Sequence, residues 1–203
     1  MSKDYWEKIY SNKDSNEFSW YQVDPILSLD FIRKYSSSKD VKIIDVGAGD
    51  GFLVDKLIDL GYSDITVLDI SEKSINRVKK RLGKKKRLVN WIVSDILEFK
   101  TNTKYDIWHD RALFHFLTNN NDIHKYIQNL EHQLSKNSKF IISVFAEDGP
   151  KKCSGKNIVN YSIEDLITIF KNFLSVIETK NYDHITPSNS IQKFNTFIFN
   201  KFQ

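Results

Sequence analysis

Three aspartates, a glycine-rich turn and a His-Asp-Arg triplet are the residues of this chain whose types and spacing can do chemistry. Asp45-Val46-Gly47-Ala48-Gly49-Asp50-Gly51 follows an apolar run that begins at Val41. The run reads as a short buried strand, and the glycines permit a tight turn at which a ligand can reach the backbone. Apolar residues resume at helical spacing at Leu53, Leu57 and Leu60. A strand, a glycine turn and a helix start leave unpaired N–H groups at a positive dipole end, where an anionic group is favoured. Asp45 puts a carboxylate beside that spot. A pyrophosphate fits badly there, whereas an amino-acid tail, with ammonium and carboxylate together, suits both halves. Dinucleotide turns read Gly-x-Gly-x-x-Gly. Here the third glycine comes one residue early and Phe52 stands in its place. The bland alternative is a plain strand-to-helix turn.

The remaining chemistry also sits at the ends of apolar runs. Asp69 closes the run from Asp64, 24 positions after Asp45. An acidic residue about 20 positions past a glycine turn commonly holds ribose hydroxyls. Ser71 can cap the next helix in its stead. Ser94-Asp95-Ile96 follows the run Val89 to Val93; taken alone, Asp95 equally suits an Asx turn. His109-Asp110-Arg111 closes the run from Tyr105. A histidine beside a carboxylate can be tuned across neutral pH and suits a base that takes a proton from an acceptor. Adjacent strand residues point to opposite faces, so His109 and Asp110 need not meet. Arg111 suits an anionic group or a carboxylate partner equally.

Other residues invite a functional reading and carry a structural one as well. Trp6, Tyr10, Phe18, Trp20 and Tyr21 crowd the segment ahead of the first strand. They either pack a helix onto the sheet or form a lid whose rings attract a cation and exclude water. His115 lies between Phe114 and Phe116 and reads as packing. Lys151 to Lys156 reads as a flexible rim loop in which basic neighbours would lower the Cys153 thiol pKa, although an incidental cysteine is the simpler reading. His184 is placed to reach a pocket from the far side. The basic run Lys79-Lys80-Arg81 with Lys84-Lys85-Lys86-Arg87 is read as a solvated helix end, where cations complement the dipole.

The elements that must position these groups alternate. Helical patterns cover Trp6 to Tyr10 and Pro25 to Tyr35, the latter with Ile26, Leu29 and Ile32 on one face. Further helices are expected over Ser74 to Leu82, along Ile123, Ile127, Leu130 and Leu134, and from Ser162 as cap through Phe170. Later strands are expected over Lys139 to Phe145, Leu174 to Tyr182 and Phe194 to Phe199. Alternating strands and helices imply a mostly parallel sheet covered on both faces, with ligands at the carboxyl ends of the strands.

Composition bounds the function. A chain of 203 residues fits one domain, long enough to bury about 70% of its unfolded surface. A net charge of +4 and pI near 8.9 are too mild for a dedicated nucleic-acid binder. One cysteine excludes an internal disulfide framework and a cysteine-rich zinc site, so no metal is expected. No apolar stretch approaches the ~20 residues of a membrane span, and the opening Met-Ser-Lys-Asp-Tyr-Trp has no apolar signal core. A cytoplasmic location and no membrane partner are the expectation.

From Ile43 to Ile96 the chain resembles the class I S-adenosylmethionine-dependent methyltransferases, on the strength of Asp45-x-Gly47-x-Gly49-x-Gly51, Asp69 and Asp95. The likeness runs over most of the chain. It implies a three-layer α/β/α Rossmann-like sandwich around a seven-stranded, mostly parallel sheet whose last strand is antiparallel and lies between the fifth and sixth. It implies S-adenosyl-L-methionine as cofactor, held by Trp20, Asp45, Gly47, Ala48, Gly49, Gly51, Asp69, Ile70, Ser94, Asp95, Ile96 and His109. In the family, the carboxylate at Asp95 accepts a hydrogen bond from the adenine amino group, and residues such as Ile70 and Ile96 flank the ring. His109, Asp110 and Arg111 are placed near the reacting atoms.

Gly61 to Ile65 with Leu68 to Ser71, and Asp4 to Lys8 with Phe18 to Tyr21, look like eukaryotic lysine methyltransferases that act on translation elongation factor. That likeness fades at Trp108-His109-Asp110-Arg111-Ala112, where those enzymes carry an Asp-Lys-Gly type sequence. Nucleic-acid amine methyltransferases carry Asn/Asp-Pro-Pro-Tyr/Phe there, so a nucleic-acid partner is not expected. The expectation is a single domain over 1–203, with 1–36 as a helical lid, acting on a small-molecule acceptor such as a thiol or amine. Protein lysine methylation is the first alternative. A non-catalytic cofactor-binding scaffold is the second, opposed by the intact set of glycines and carboxylates.

Overall fold

Apolar runs with no polar alternation become the inner strands of a seven-stranded sheet in the computed structural model, which describes residues 2–202. The strands are β1 (Lys42–Val46), β2 (Asp64–Asp69), β3 (Val89–Val93), β4 (Tyr105–Arg111), β5 (Leu134–Phe145), β8 (Leu174–Ile185) and β9 (Ile191–Lys201), with a two-residue-a-side hairpin of β6 (Lys152–Cys153) and β7 (Lys156–Asn157) outside the sheet. The sheet order is β3-β2-β1-β4-β5-β9-β8. All neighbours pair parallel except β9, which runs antiparallel to both β5 and β8 and so lies between them as expected. β1 and β2 are buried at every residue but the first, the mark of strands covered on both faces.

Successive side chains divide between two cores, as the pleat demands. Ile44, Trp108 and Phe140 face one layer with Tyr126, Phe170 and Phe199. Ile43, Ile107 and Ile141 face the other with Ile32, Leu57 and Val78. The first layer is covered by α5 (Asn120–Gln133) and α6 (Ile163–Phe170). The second is covered by α2 (Ile26–Tyr35), α3 (Leu53–Asp59) and α4 (Glu72–Leu82). α1 (Lys3–Asn12) packs beside α4 with Trp6 and Tyr10 turned inward. Side chains cap three helices: Ser71 accepts from the Ser74 N–H, Asn119 from Asp122, and Ser162 forms a capping box with Asp165. Among the described residues no helix is long and apolar enough to cross a membrane.

Three local expectations change. The inward face of α2 is Ser28, Phe31 and Ile32, while Ile26 is 64% exposed. A ten-residue helix spans under three turns, so its apolar stripe alone leaves the facing angle open by a residue. Leu134, at helical spacing from Leu130, is instead the first residue of β5. The segment Lys151 to Lys156, read as a loose loop, carries the β6–β7 hairpin with Cys153 buried. The expected domain 1–203 and lid 1–36 begin and end on Met1 and Gln203, which lie outside the described residues.

Phe140 lies on the inner strand β5 against Phe170 at 5.1 Å and Phe199 at 6.0 Å between ring centroids. Phe140→Ala is expected to lower unfolding free energy by about 3–5 kcal/mol, read from the midpoint of urea denaturation.

Candidate functional site

The carboxyl ends of β1, β2 and β4 open into one cavity that, with its mouth, encloses about 1100 Å³. Every residue expected to hold a cofactor lines it: Asp45, Gly47, Ala48, Gly49 and Gly51 at the turn, Asp69 and Ile70 after β2, Ser94, Asp95 and Ile96 after β3, and Trp20 and His109. Arg111 lines it too.

The glycine turn is explained by what surrounds it. Gly47 and Gly49 have φ of 64° and 57°, the left-handed region where a side chain is strained. A Cβ at Gly47 would meet Leu113 Cδ1 at 2.4 Å, and one at Gly49 would meet the Tyr10 hydroxyl oxygen at 2.5 Å. Neighbouring groups thus crowd the turn from opposite elements. Arg81 clamps it from below, donating to the carbonyls of Asp50 and Gly51 and to both carboxylate oxygens of Asp55. Arg77 pairs with the buried Asp50 at 3.0 Å and donates to the carbonyls of Tyr10 and Lys13. The sequence reading missed Arg77 and placed Arg81 in a solvated basic run; its neighbours Lys79 and Lys85 do face outward, over Trp91 and towards Asp59.

Asp45 and His109 are cross-strand partners in the β1–β4 register, so their side chains leave the same face. His109 Nδ1 lies 2.7 Å from Asp45 Oδ1, and Nε2 lies 2.9 Å from Ser28 Oγ. A carboxylate only accepts, so Nδ1 carries the proton, and Nε2 shares a hydrogen bond with the Ser28 hydroxyl. Both ring nitrogens are thereby engaged. Ser28 was not foreseen; a serine on the same helix face as Phe31 and Ile32 was the available signal.

Asp69 is almost fully buried, and its carboxylate accepts from the N–H groups of Gly49 and Ser71, each at 2.8 Å. Burial pushes its carboxyl up to about 6, against the pull of those N–H groups. Asp95 accepts from the Leu97 N–H at 2.9 Å, forming the Asx turn while also facing the cavity.

Asp110 does not line the cavity. It points to the opposite face, where it accepts from the N–H groups of Leu113 and Phe114 and from the Tyr126 hydroxyl. Burial pushes it up to about 6. The alternation of the strand thus separates it from His109 and Arg111, beside which the reading of the triplet had set it. Cys153 lines the cavity, but burial pushes its thiol up to about 11, the reverse of what its basic sequence neighbours imply, because the side chain packs with Phe145 and Phe194. His115 stacks on Phe145 at 4.6 Å and is held neutral by burial, near 3. His184 stays outside the cavity wall. It donates through Nε2 to the Ser19 carbonyl at 2.7 Å and holds the N-terminal segment in place.

That segment forms the roof. Trp6, Tyr10, Trp20 and Tyr21 line the cavity, while Phe18 stacks behind Trp20 at 4.5 Å. Phe116 closes against Trp6 at 5.2 Å.

Residues 37–189 match a family model described as a methyltransferase domain. The chain is 35% identical over 104 residues to the mouse eEF1A lysine and N-terminal methyltransferase, covering 50% of this chain and 15% of that protein. It is 30% identical over 117 residues to a malonyl-[acyl-carrier protein] O-methyltransferase of Bacillus anthracis, covering 57% of this chain and 42% of that one. It thus spans less than half the length of either relative. Its fold is shared with the N-methyltransferase NodS of Bradyrhizobium japonicum, in complex with S-adenosyl-L-homocysteine, at a TM-score of 0.75 and 19% identity over 98% of this chain and 99% of that one.

Gly49→Ala places a methyl group against the Tyr10 hydroxyl in a left-handed conformation that costs about 1–2 kcal/mol. A ligand that uses the turn is expected to bind roughly tenfold more weakly, as read by calorimetric titration.

Proposed function

Since this chain belongs to the methyltransferase domain family, we propose that it moves the methyl group of S-adenosyl-L-methionine to a small-molecule acceptor carrying a thiol or amine. The observation that carries this reading is the convergence of the glycine turn, Asp45, Asp69 and Asp95 on one roofed cavity. When bound, the cofactor supplies a methyl group on a sulfonium sulfur that is already a good leaving group. The protein's part is therefore to align the partners and keep water out.

Asp45 takes the ammonium of the amino-acid tail. His109 is a positioning residue: held by Ser28, it fixes the Asp45 carboxylate rather than accepting a proton itself. Asp69 accepts from the N–H groups of Gly49 and Ser71 and, as a carboxylate, keeps lone-pair capacity with which to accept from a ribose hydroxyl. Asp95 takes the adenine amino group, with Ile70 and Ile96 against the ring. Trp6, Trp20 and Tyr10 turn aromatic surface to the cavity, which favours a cationic sulfur and shields it from water. The reading takes 1–203 as one domain with 1–36 as its lid, working in the cytoplasm with no membrane or nucleic-acid partner.

Protein lysine methylation is the second reading, favoured by the 35% identity with the mouse enzyme over half of the chain. Incubating cell lysate with methyl-labelled S-adenosylmethionine separates the two. Label confined to the small-molecule fraction is expected; label on a specific protein would install the second reading. Calorimetry with S-adenosylmethionine, S-adenosylhomocysteine and NAD is expected to show binding of the first two only, and no binding of either would sink the enzyme reading.

The cofactor's affinity is expected to depend on pH through Asp69. The ionised carboxylate is the acceptor of the diol, and its pKa in the folded protein is about 6. Affinity should therefore rise as pH climbs through 6, level off above it, and be roughly tenfold lower at pH 5 than at pH 7.5. Asp69→Asn should flatten that profile and weaken binding by about 2 kcal/mol at neutral pH.

A further inference from the structure

Arg111 ends β4 two residues after His109, so the two side chains leave the same face of the strand. It is the one arginine or lysine in the cavity wall among the described residues. Its guanidinium is held by uncharged partners only. Nε donates to the Tyr182 hydroxyl at 3.1 Å, Nη1 donates to the Trp20 carbonyl at 3.1 Å, and Cζ lies 5.1 Å from the centre of the Phe194 ring. Nη2 is sealed from solvent and has no hydrogen-bond partner. Of five N–H donors, three are unspent, and those of Nη1 and Nη2 form the edge that takes a carboxylate with two parallel bonds.

The surroundings sharpen the point. Phe145, Cys153 and Phe194 pack together with Trp20, Ala112 and Phe116 around this end of the cavity. The nearby imidazoles add no charge: burial, and then Arg111 itself, hold His115 near 3 and His184 near 4. No carboxylate pairs with Arg111 among the described residues. Arg111 is half-buried, and Nη2 donors kept out of solvent without a partner are unfavourable. The geometry instead fits a site completed by an anionic ligand with an apolar body.

We propose that the methyl acceptor carries a carboxylate, which Arg111 binds through its Nη1–Nη2 edge, and that its apolar body lies against Trp20 and Phe116. This rests on the methyl-transfer reading of the same cavity. Arg111 is then a specificity-determining residue for the acceptor and not part of the cofactor's site.

The test uses the protein saturated with S-adenosylhomocysteine and three simple probes: phenylacetate, phenylacetamide and phenyl phosphate. Calorimetry is expected to show phenylacetate binding at least tenfold tighter than phenylacetamide, and tighter than phenyl phosphate. Arg111→Met, kept saturated with S-adenosylhomocysteine because Arg111 also holds the Trp20 carbonyl of the roof, should abolish the preference for phenylacetate. Arg111→Lys, which keeps the charge but not the fork, should recover only part of it. Equal binding of acid and amide by the unaltered protein overturns the proposal without need of any variant. Preferred phenyl phosphate would overturn the carboxylate assignment. A preference for phenylacetate retained by folded, saturated Arg111→Met would overturn the assignment to Arg111. Failure of the unaltered protein to bind S-adenosylhomocysteine would instead fell the methyl-transfer reading, so the two failures are distinct.

Discussion

Burying carboxylates at the ends of parallel strands is the constraint on which the rest of this structure depends. Asp45, Asp50, Asp69 and Asp110 are all almost withdrawn from water, which costs several kcal/mol for each charge left unpaired. Each is answered from elsewhere in the fold. β4 brings His109 to Asp45, α4 brings Arg77 to Asp50, the glycine turn and the start of α4 bring N–H groups to Asp69, and α5 brings Tyr126 to Asp110. The helices are thus placed by polar obligations at the top of the sheet as well as by apolar burial along its faces.

The roof follows from the same obligations. Arg77 reaches past Asp50 to the backbone of Tyr10 and Lys13, and His184 holds Ser19 from the far edge of the sheet. Arg111 holds Trp20. The N-terminal aromatics therefore lie over the cavity because cations and imidazoles on α4, β4 and β8 hold their backbone, while their rings fill the space between. Tyr10 closes the circuit: its hydroxyl occupies the space that a side chain at Gly49 would need, so roof and glycine turn are matched to each other.

Much of this was legible in the residues alone. The continuous apolar runs of β1 and β2 announced inner strands, Ser71 and Ser162 announced helix starts, and Asp45, Asp69 and Asp95 at the run ends all line one cavity. Boundaries were less legible where local signals tie. Leu134 satisfies a helical period yet begins a strand, and α2 is rotated so that Ser28 rather than Ile26 faces inward.

The sequence by itself determined the order of elements, the left-handed turn that Gly47 and Gly49 require, and which carboxylates stand at strand ends, because periodicity and backbone sterics act between residues near in the chain. Only the tertiary structure decided which groups meet. The β1–β4 register pairs Asp45 with His109 across 64 positions, and the strand pleat turns Asp110 away from both. Burial raises the Cys153 thiol although its sequence neighbours are basic. Protonation and pairing depend on solvent access and on partners distant in the chain, and neither is written in local sequence.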